Sequence, residues 1–349
     1  MPRDTTEHTN SAKAAGLQYM PDSVPGIRRK GAGKGFFYLD HRGRRITEVS
    51  EVTRIQRITV PPAWTDVWIC PRPDGHIQAT GRDAKGRKQY RYHPRYRAIR
   101  DETKYERILA FSKVLPHLRE QVEYDLSRPG LPRQKILAAV IGLLEATLIR
   151  VGNDEYARDN ESYGLTTMRD RHAAVEGWKV RFDFRGKSGV DHAISITDRR
   201  LARIVQHCQE LSGEELFQYV DEKGRRRAVD SGDINDYLVE TTGGNFTAKD
   251  IRTWSGTVLA AAALRDLGVV DSESKTKANI LVAIDAVADR LGNTRAVCRK
   301  YYIHPRVLEL YREGHVVDAP RPSEEHERGG GTAALRCDEV AVLELLELR

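Results

Sequence analysis

The hydrophobic pattern of the chain changes its period near residue 100. Before that point, short apolar segments alternate with turns rich in Gly, Pro and Asp, which is typical of strands. These segments are 35–39, 65–70, 76–80 and 88–93. After it, apolar residues recur at helical spacing, as in the stripe from Ile136 to Leu148. The sequence therefore predicts an α+β fold, with a small, mainly antiparallel-β N-terminal domain and a larger, mostly α-helical domain.

A short β island interrupts the helical part. Apolar residues alternate over 179–184, the turn 185–189 follows, and 190–196 returns as the second strand of a hairpin. We expect it to belong to a small three-stranded sheet. The remaining segments are predicted as helices, with Thr247 and Asp250 forming a capping box and Gly292 ending a helix. The helices are expected at about 198–211, 232–242, 248–266, 276–290 and, as two short ones, within 295–313.

Changes in composition predict four regions. Residues 1–20 are polar and are expected to be a mobile tail. A β-rich domain over 21–97 and a mostly helical domain over 98–318 follow, and 319–349 is a linker with a short C-terminal segment. Its last residues are leucine-rich, which fits either a docking helix or an interaction tail.

The charge of the chain indicates a polyanionic partner. The 349 residues carry a formal net charge of +7, although the segment after Asp318 is acidic. A basic body of this kind most simply binds nucleic acid. No apolar run approaches the roughly 20 residues that a membrane helix needs. The four cysteines are scattered without metal-type spacing, so we expect a cytoplasmic protein with neither a membrane partner nor a cofactor or metal.

The densest basic cluster lies between residues 82 and 100, where tyrosines and a glutamine interleave with Lys and Arg. Cations neutralise phosphates, while Tyr and Gln hydrogen-bond to base edges or phosphates. We therefore predict that this basic segment contacts DNA. The candidate contacts are Lys85, Arg87, Lys88, Gln89, Tyr90 and Tyr92.

Four residues further along could form a catalytic set. Taken singly, Arg150 fits a helix C-terminus, Lys187 a hairpin turn, Arg252 a surface salt bridge and Tyr302 a packed aromatic. Taken together, a phenol surrounded by fixed cations suits attack on a phosphodiester without a metal. Guanidinium groups favour the phenolate and meet two phosphate oxygens in a planar fork.

The order and surroundings of these residues resemble the type IB DNA topoisomerases, in the compact poxvirus-like form found in bacteria. The resemblance covers about residues 20–315. It is carried by five motifs, namely Lys85-Gly86-Arg87-Lys88-Gln89-Tyr90-Arg91-Tyr92, Ile149-Arg150-Val151-Gly152-Asn153 with Tyr156, Phe184-Arg185-Gly186-Lys187, Lys249-Asp250-Ile251-Arg252-Thr253-Trp254, and Leu291-Gly292-Asn293-Thr294 ending in Tyr302.

This resemblance implies a role for each catalytic candidate. Tyr302 matches the nucleophile that joins the 3′ side of the broken strand, and it is preferred over Tyr301 because it follows Asn293 at the family's spacing. Arg150 and Arg252 match the arginines that contact the non-bridging phosphate oxygens. Lys187 matches the lysine that protonates the leaving 5′-oxygen.

Further positions carry over with one departure from the family pattern. Asn293 stands where the poxviral enzymes have histidine, which leaves a hydrogen-bond donor without a positive charge. Tyr90, Tyr92 and Tyr156 match residues that contact DNA. The implied activity is ATP- and metal-independent relaxation of supercoiled double-stranded DNA. We expect a nucleoid-associated monomer that clamps the duplex, with a hinge near 95–102.

Two alternatives remain open from the sequence. A tyrosine recombinase or integrase uses a similar set of arginines, lysine and tyrosine, although it usually carries an Arg-His pair near the second arginine, where this chain has Arg252-Thr253-Trp254. A non-catalytic DNA-binding protein could also retain the same fold.

Overall fold

A computed structural model of the chain describes residues 3–33, 35–84, 86–211, 213–221, 223–318 and 335–348. Contacts within the chain divide it into two compact units, Met1–Glu106 and Arg107–Arg349. The predicted boundary after residue 97 stays a prediction.

The first unit contains a five-stranded antiparallel sheet. Its strands are β1 (Ile27–Ala32), β2 (Gly35–Leu39), β3 (Thr65–Ile69), β4 (Ile77–Arg82) and β5 (Lys88–Tyr92), in the order β2-β1-β3-β4-β5. Helix α2 (Val49–Arg57) supplies Ile55 to a small core that also holds Val67, Ile69 and Ala79. Strand β5, which carries Lys88, Gln89, Tyr90 and Tyr92 of the predicted DNA contacts, is therefore an edge strand, and among the described residues only one of its two hydrogen-bonding edges pairs with another strand.

Most of the segment 1–20, which the sequence predicts as a mobile tail, is helical in the structure. Residues Arg3–Ala14 form helix α1, and Ala12 and Leu17 are buried in a cluster with Tyr96. The side chain of His8 also hydrogen-bonds to the Tyr96 hydroxyl, with 2.5 Å between Nδ1 and Oη. The segment shows no stripe of large apolar residues, because the side chains of α1 that are described as buried are the small Ser11 and Ala12.

The second unit is mostly helical. Its helices are α3 (Pro94–Leu126), which begins in the first unit, α4 (Arg133–Thr147), α5 (Asp154–Asn160), α6 (Arg199–Gln209), α7 (Ser231–Thr242), α8 (Ala248–Leu267), α9 (Glu273–Leu291), α10 (Arg295–Tyr301), α11 (Pro305–Arg312) and α12 (Cys337–Glu347). Its strands are β6 (Ala173–Glu176), β7 (Lys179–Arg185), β8 (Asp191–Thr197), β9 (Gln218–Val220) and β10 (Arg226–Ala228). Helix α4 is apolar on nearly every side and lies at the centre of the core.

The predicted three-stranded sheet is present, in the order β6-β7-β8. Strand β7 alternates strictly between buried and exposed residues, with Val180, Phe182 and Phe184 facing the core. Phe184 and His192 are direct partners across the β7–β8 pair. The α+β fold class predicted from the sequence is confirmed.

The C-terminal segment docks as a helix rather than extending as a tail. Helix α12 buries Ala341, Val342 and Leu345 in the main core. Its Glu339 is also buried, where it accepts hydrogen bonds from Arg119 at 2.8 and 2.9 Å and from the Trp254 indole at 3.1 Å. Since Trp254 lies on α8, the C-terminal helix is fixed directly to that helix.

Within the described residues, no helix is both long enough and apolar enough to cross a membrane.

Candidate active site

Helix α8 is fixed at its N-terminus. The Thr247 backbone N–H and hydroxyl both donate to the Asp250 carboxylate, at 2.8 and 2.9 Å, which confirms the predicted capping box. The same carboxylate accepts two hydrogen bonds from Arg107, at 3.1 and 2.7 Å. These contacts hold the first turns of α8, where Arg252 lies.

Arg252 is a buried cation held by the ends of two other helices. Its side chain is 3% exposed. It donates to the carbonyl of Leu148, the residue that caps the C-terminus of α4, and, at 2.9 Å, to the carbonyl of Leu291, the last residue of α9. The partial negative charge of helix C-termini stabilises such a cation.

The guanidinium of Arg252 still has an unused donor. Its Nε is buried and has no hydrogen-bond partner among the described residues. Burial lowers the pKa of Arg252 to about 10, with Arg150 acting in the same direction and Tyr302 opposing it. The group remains charged near neutral pH. An anion that reached Nε would accept its unpaired N–H and would also compensate the buried positive charge.

Arg150 lies in the segment that follows α4. That helix ends at Leu148, which has a left-handed backbone conformation with φ 57°. The carbonyl of Arg150 accepts a hydrogen bond from the Leu165 N–H at 2.8 Å. The segment around Leu165 therefore holds the Arg150 backbone in place. The Arg150 side chain is directed to the end of α9, where it donates to the Gly292 carbonyl at 3.3 Å and to Asn293 Oδ1.

Asn293 connects the Arg150 side chain to the α9 terminus. Helix α9 ends in the left-handed Gly292, with φ 58°, as the sequence predicts. The amide nitrogen of Asn293 donates to the Leu291 carbonyl at 3.2 Å, while its oxygen accepts from Arg150. Arg252 donates to the same Leu291 carbonyl. Both arginines and the amide therefore share the last turn of α9.

Lys187 begins the turn of the β7–β8 hairpin, as the sequence predicts. The turn is closed by a hydrogen bond from the Gly186 N–H to the Val190 carbonyl at 2.7 Å. Lys187, Arg150 and Arg252 line one cavity of about 220 Å³. The fold thus brings three cations together that are far apart in sequence.

Tyr302 caps the C-terminus of α10, with φ −127° and ψ −3°. Its ring centroid lies 5.2 Å from the guanidinium carbon of Arg252. The backbone is held closely against α8, since a Cβ on Gly256 would lie only 2.5 Å from the Tyr302 carbonyl oxygen. The neighbouring Tyr301 is more exposed, and its ring instead contacts the ammonium groups of Lys249 and Lys300, at 5.7 and 5.2 Å.

His192 lines the same cavity and was not predicted from the sequence. Its ring stacks on Phe184, with 5.0 Å between ring centroids and an interplanar angle of 18°. Burial, followed by the charges of Arg150 and Arg252, lowers the pKa of His192. The only signal in the sequence is that a histidine lies on the return strand of the hairpin. This histidine has no distinctive spacing from the other site residues.

The predicted DNA contacts on and before β5 are held by carboxylates. Arg87 pairs with Asp83 at 2.7 Å, and Gln89 donates to the same carboxylate at 3.0 Å. Lys88 pairs with Asp22 at 2.6 Å. The side chains of Arg87, Lys88 and Gln89 are thus oriented by two half-buried carboxylates.

Tyr90 and Tyr92 share one face of β5, as the alternation predicts. Their rings stack with 5.8 Å between centroids, and Lys88 lies 5.5 Å from the Tyr90 centroid. Two other predicted contacts lie outside the description, since Lys85 and the side chain of Tyr156 are not among the described parts of the chain.

In the part of the chain that the structure describes, no group of three or more His, Cys, Asp or Glu side chains could hold a metal ion. The arrangement is instead a cavity lined by buried and hairpin-borne cations, with a phenol next to one of them. Such a site is typical of proteins that bind and transfer a phosphate group.

Comparisons with known proteins identify the family. A family model described as the eukaryotic DNA topoisomerase I catalytic core matches residues 93–317, and one described as the bacterial DNA topoisomerase IB N-terminal domain matches residues 35–83. The DNA topoisomerase 1B of Acanthamoeba polyphaga mimivirus is 32% identical over 300 residues, which cover 83% of this chain and 88% of the relative. The DNA topoisomerase 1B of Vaccinia virus (strain Copenhagen) is 21% identical over 271 residues, covering 76% of this chain and 83% of the relative.

The chain therefore belongs to the type IB DNA topoisomerase family, and as a DNA topoisomerase it is an isomerase. This membership confirms the family predicted from the motifs and decides against the recombinase alternative.

Proposed function

We propose that this protein relaxes supercoiled double-stranded DNA by cutting one strand through a 3′-phosphotyrosyl intermediate at Tyr302 and then resealing it, without ATP or a metal. The observation that carries the proposal is the position of the Tyr302 ring beside Arg252, a buried guanidinium with an unused Nε donor. A scissile phosphate at this point would meet a nucleophile and a desolvated cation together.

The two buried arginines would bind the non-bridging oxygens of the phosphate. Burial lowers the pKa of Arg150 as well as that of Arg252, so each cation lacks the solvation it would have in water. A dianionic transition state would supply the missing charge and accept the Arg252 Nε–H. Pre-oriented donors of this kind are typically worth about 3–4 kcal/mol each in transition-state stabilisation.

Tyr302 is the better candidate for the nucleophile than Tyr301. Its ring faces Arg252, and the close approach of Gly256 to its carbonyl oxygen fixes the backbone. The Tyr301 ring instead faces the ammonium groups of Lys249 and Lys300. Cations near a phenol favour the phenolate, which is the attacking form.

Lys187 would act as the general acid. Tyr302 attacks as the phenolate, after its proton has passed to water. As its oxygen bonds to phosphorus, the bond from phosphorus to the 5′-oxygen breaks, and that oxygen takes a proton from the Lys187 ammonium. The reverse steps reseal the strand when the 5′-hydroxyl attacks the phosphotyrosine. Because the ester bond conserves the energy of the broken linkage, resealing needs no ATP.

Asn293 would orient Arg150 in addition to any contact with the phosphate. Its side-chain oxygen accepts from Arg150 and its nitrogen donates to Leu291. A neutral amide can do both at once, whereas a protonated histidine could not accept a hydrogen bond from a guanidinium.

The duplex would be bound partly by the basic segment on β5. Phosphates would replace Asp22 and Asp83 as partners of Lys88 and Arg87, and Tyr90 and Tyr92 would contact the strand. Lys85 and Tyr156 are proposed as further contacts from the family motifs. A monomer that clamps the DNA, acting in the nucleoid, stays a proposal.

Relaxation of a supercoiled plasmid in excess EDTA and without ATP tests the function. The wild type should yield relaxed topoisomers, Tyr302→Phe should yield none, and Tyr301→Phe should retain activity. The two variants are matched, because each removes a single hydroxyl group and the two positions are adjacent. A wild type that fails to relax DNA in EDTA, or a fully active Tyr302→Phe, would overturn the proposal.

A further inference from the structure

His192 occupies a restricted space between two turns of the active site. It is the second residue of β8 and lies directly across from Phe184 on β7, against which its ring stacks. Stacking on a core aromatic fixes the ring plane. The imidazole is therefore held on the hairpin while one side of it faces the cavity that it shares with Arg150, Lys187 and Arg252.

Two glycines enclose this ring. A Cβ on Gly186 would lie 2.6 Å from His192 Cδ2 and Nε2, and a Cβ on Gly292 would lie 2.3 Å from His192 Cε1. No side chain fits at either position without displacing the ring. The imidazole thus fills the space between the turn of the β7–β8 hairpin and the C-terminal turn of α9.

Each of these glycines directly precedes a residue of the proposed site. Gly186 precedes Lys187, and Gly292 precedes Asn293, which accepts a hydrogen bond from Arg150. The thickness of the imidazole therefore sets the separation between the turn that carries Lys187 and the turn that orients Arg150. Burial and the two arginines lower the pKa of His192, so the ring takes this place without adding another positive charge.

We propose that His192 is a positioning residue for Lys187, acting as a rigid spacer between the hairpin turn and the α9 terminus. The inference rests on the function proposed above. Without the ring, the hairpin turn is free to move toward Gly292, and the Lys187 ammonium no longer lies where it can protonate the leaving 5′-oxygen. A histidine that served only to stabilise the hairpin would affect folding but not this one proton transfer.

The chemistry of the leaving group separates the two roles. In DNA whose bridging 5′-oxygen is replaced by sulfur at the scissile phosphate, the leaving group is a thiolate, which departs without needing a proton. A defect in the general acid is therefore rescued by sulfur, whereas a defect in phosphate binding or in the nucleophile is not.

The experiment measures single-turnover cleavage of matched oxygen and 5′-sulfur duplexes. His192→Ala should slow cleavage of the oxygen substrate by about 100-fold, the lower range for loss of a general acid, and sulfur should restore a rate close to that of the wild type. Lys187→Ala should show the same rescue, while Arg150→Ala should stay slow on both substrates. His207→Ala, at an exposed position on α6, is the matched histidine control and should behave as wild type.

A second variant protects the test against misfolding. Gly186→Ala keeps the imidazole but places a methyl group against it, and it should show the same sulfur-rescued defect, with thermal unfolding confirming a folded protein. Cleavage by His192→Ala that is equally slow on both substrates, or unchanged on the oxygen substrate, would overturn the inference while leaving the proposed function intact. A wild type that cleaves neither substrate would instead overturn the proposed function.

Discussion

The guanidinium carbon of Arg252 lies 5.2 Å from the centroid of the Tyr302 ring, although the two residues are 50 positions apart and on different helices. The contact depends on two features of α8. Asp250 fixes the start of the helix through Thr247 and Arg107, and Gly256 allows the Tyr302 backbone to approach. The phenol and the buried cation are thus placed by one helix.

Replacing Arg252 with lysine should remove most of the activity. A lysine keeps the charge, but its three N–H donors radiate from a single nitrogen, so they do not match the planar fork that reaches the Leu148 and Leu291 carbonyls with two nitrogens and keeps Nε–H for phosphate. We expect single-turnover cleavage to fall by about 10²–10³-fold, as for removal of a pre-oriented donor. Arg203→Lys, at an exposed position on α6, is the control. An Arg252→Lys enzyme within a few-fold of wild type would contradict the role of the fork.

Replacing Gly256 with alanine should displace Tyr302. The added methyl would lie 2.5 Å from the Tyr302 carbonyl oxygen, closer than van der Waals contact allows. A shift of about 1 Å at a reacting group can cost about 100-fold in rate, so cleavage should fall by that order while DNA affinity changes little.

Gly142→Ala on α4 is the matched control for this change. A Cβ there would make an ordinary contact of 3.5 Å with Leu201, and alanine should stabilise the helix by about 0.5–1 kcal/mol. Full cleavage activity in Gly256→Ala would show that Tyr302 is not held by this approach.

The buried charges under α12 should contribute strongly to stability. Arg119 is 8% exposed and donates to Glu339 and Glu145. Removing Arg119 takes away the cation that Glu339 and Glu145 share, and loss of one partner of a buried ion pair typically costs about 3–5 kcal/mol. Arg119→Met should lower the free energy of unfolding by that order in urea. A loss below about 1 kcal/mol, the scale of exposed pairs, would indicate that the cluster is solvated.

The same cluster predicts a dependence of stability on pH. Although burial alone would raise it, hydrogen bonds and charge from Arg119 lower the pKa of Glu339 below its ordinary value of 4.5. A carboxyl whose pKa is lowered by folding contributes stability above its unfolded pKa, and this contribution is lost as pH falls through the lower folded value. The stability difference between wild type and Glu339→Gln should therefore shrink below about pH 4.5. A difference that is constant from pH 7 to pH 3 would contradict a charged Glu339.

Lys88 should contribute one phosphate contact to DNA binding. In the absence of DNA it pairs with Asp22 at 2.6 Å. Lys88→Ala should weaken binding and reduce the slope of log affinity against log salt by about 0.9, the value for one neutralised phosphate. Asp22→Asn removes the competing carboxylate and should tighten binding instead. An unchanged salt slope in Lys88→Ala would show that Lys88 does not contact a phosphate of the duplex.

Local sequence signals predicted the elements that carry the site. The capping box before α8, the hairpin turn at Lys187 and the left-handed Gly292 all depend on a few adjacent residues, and all are present in the structure. Helix α1 and strand β1 were not predicted, because the buried side chains described on α1 are the small Ser11 and Ala12, and β1 buries little beyond Ile27. Their places depend on contacts with distant residues rather than on their own periodicity.

The position of His192 could not be predicted for a related reason. Its environment is made by Gly186 and Gly292, which are brought together from a hairpin and from the end of a helix. Likewise, the pairing of Glu339 with Arg119 joins residues 220 positions apart. Such arrangements depend on tertiary structure and leave no pattern of spacing in the sequence.

Identification of the covalent adduct tests the central claim most directly. A duplex with a single cleavage site, shortened so that the fragment bearing the new 5′-hydroxyl dissociates after cutting, is mixed with the wild-type protein and the reaction is stopped with detergent. After proteolysis, mass spectrometry of the nucleotide-linked peptide locates the attachment. The account predicts a 3′-phosphate ester on Tyr302, absent in Tyr302→Phe and retained in Tyr301→Phe. An adduct on Tyr301, attachment through a 5′-phosphate, or no adduct from an enzyme that relaxes DNA would contradict it.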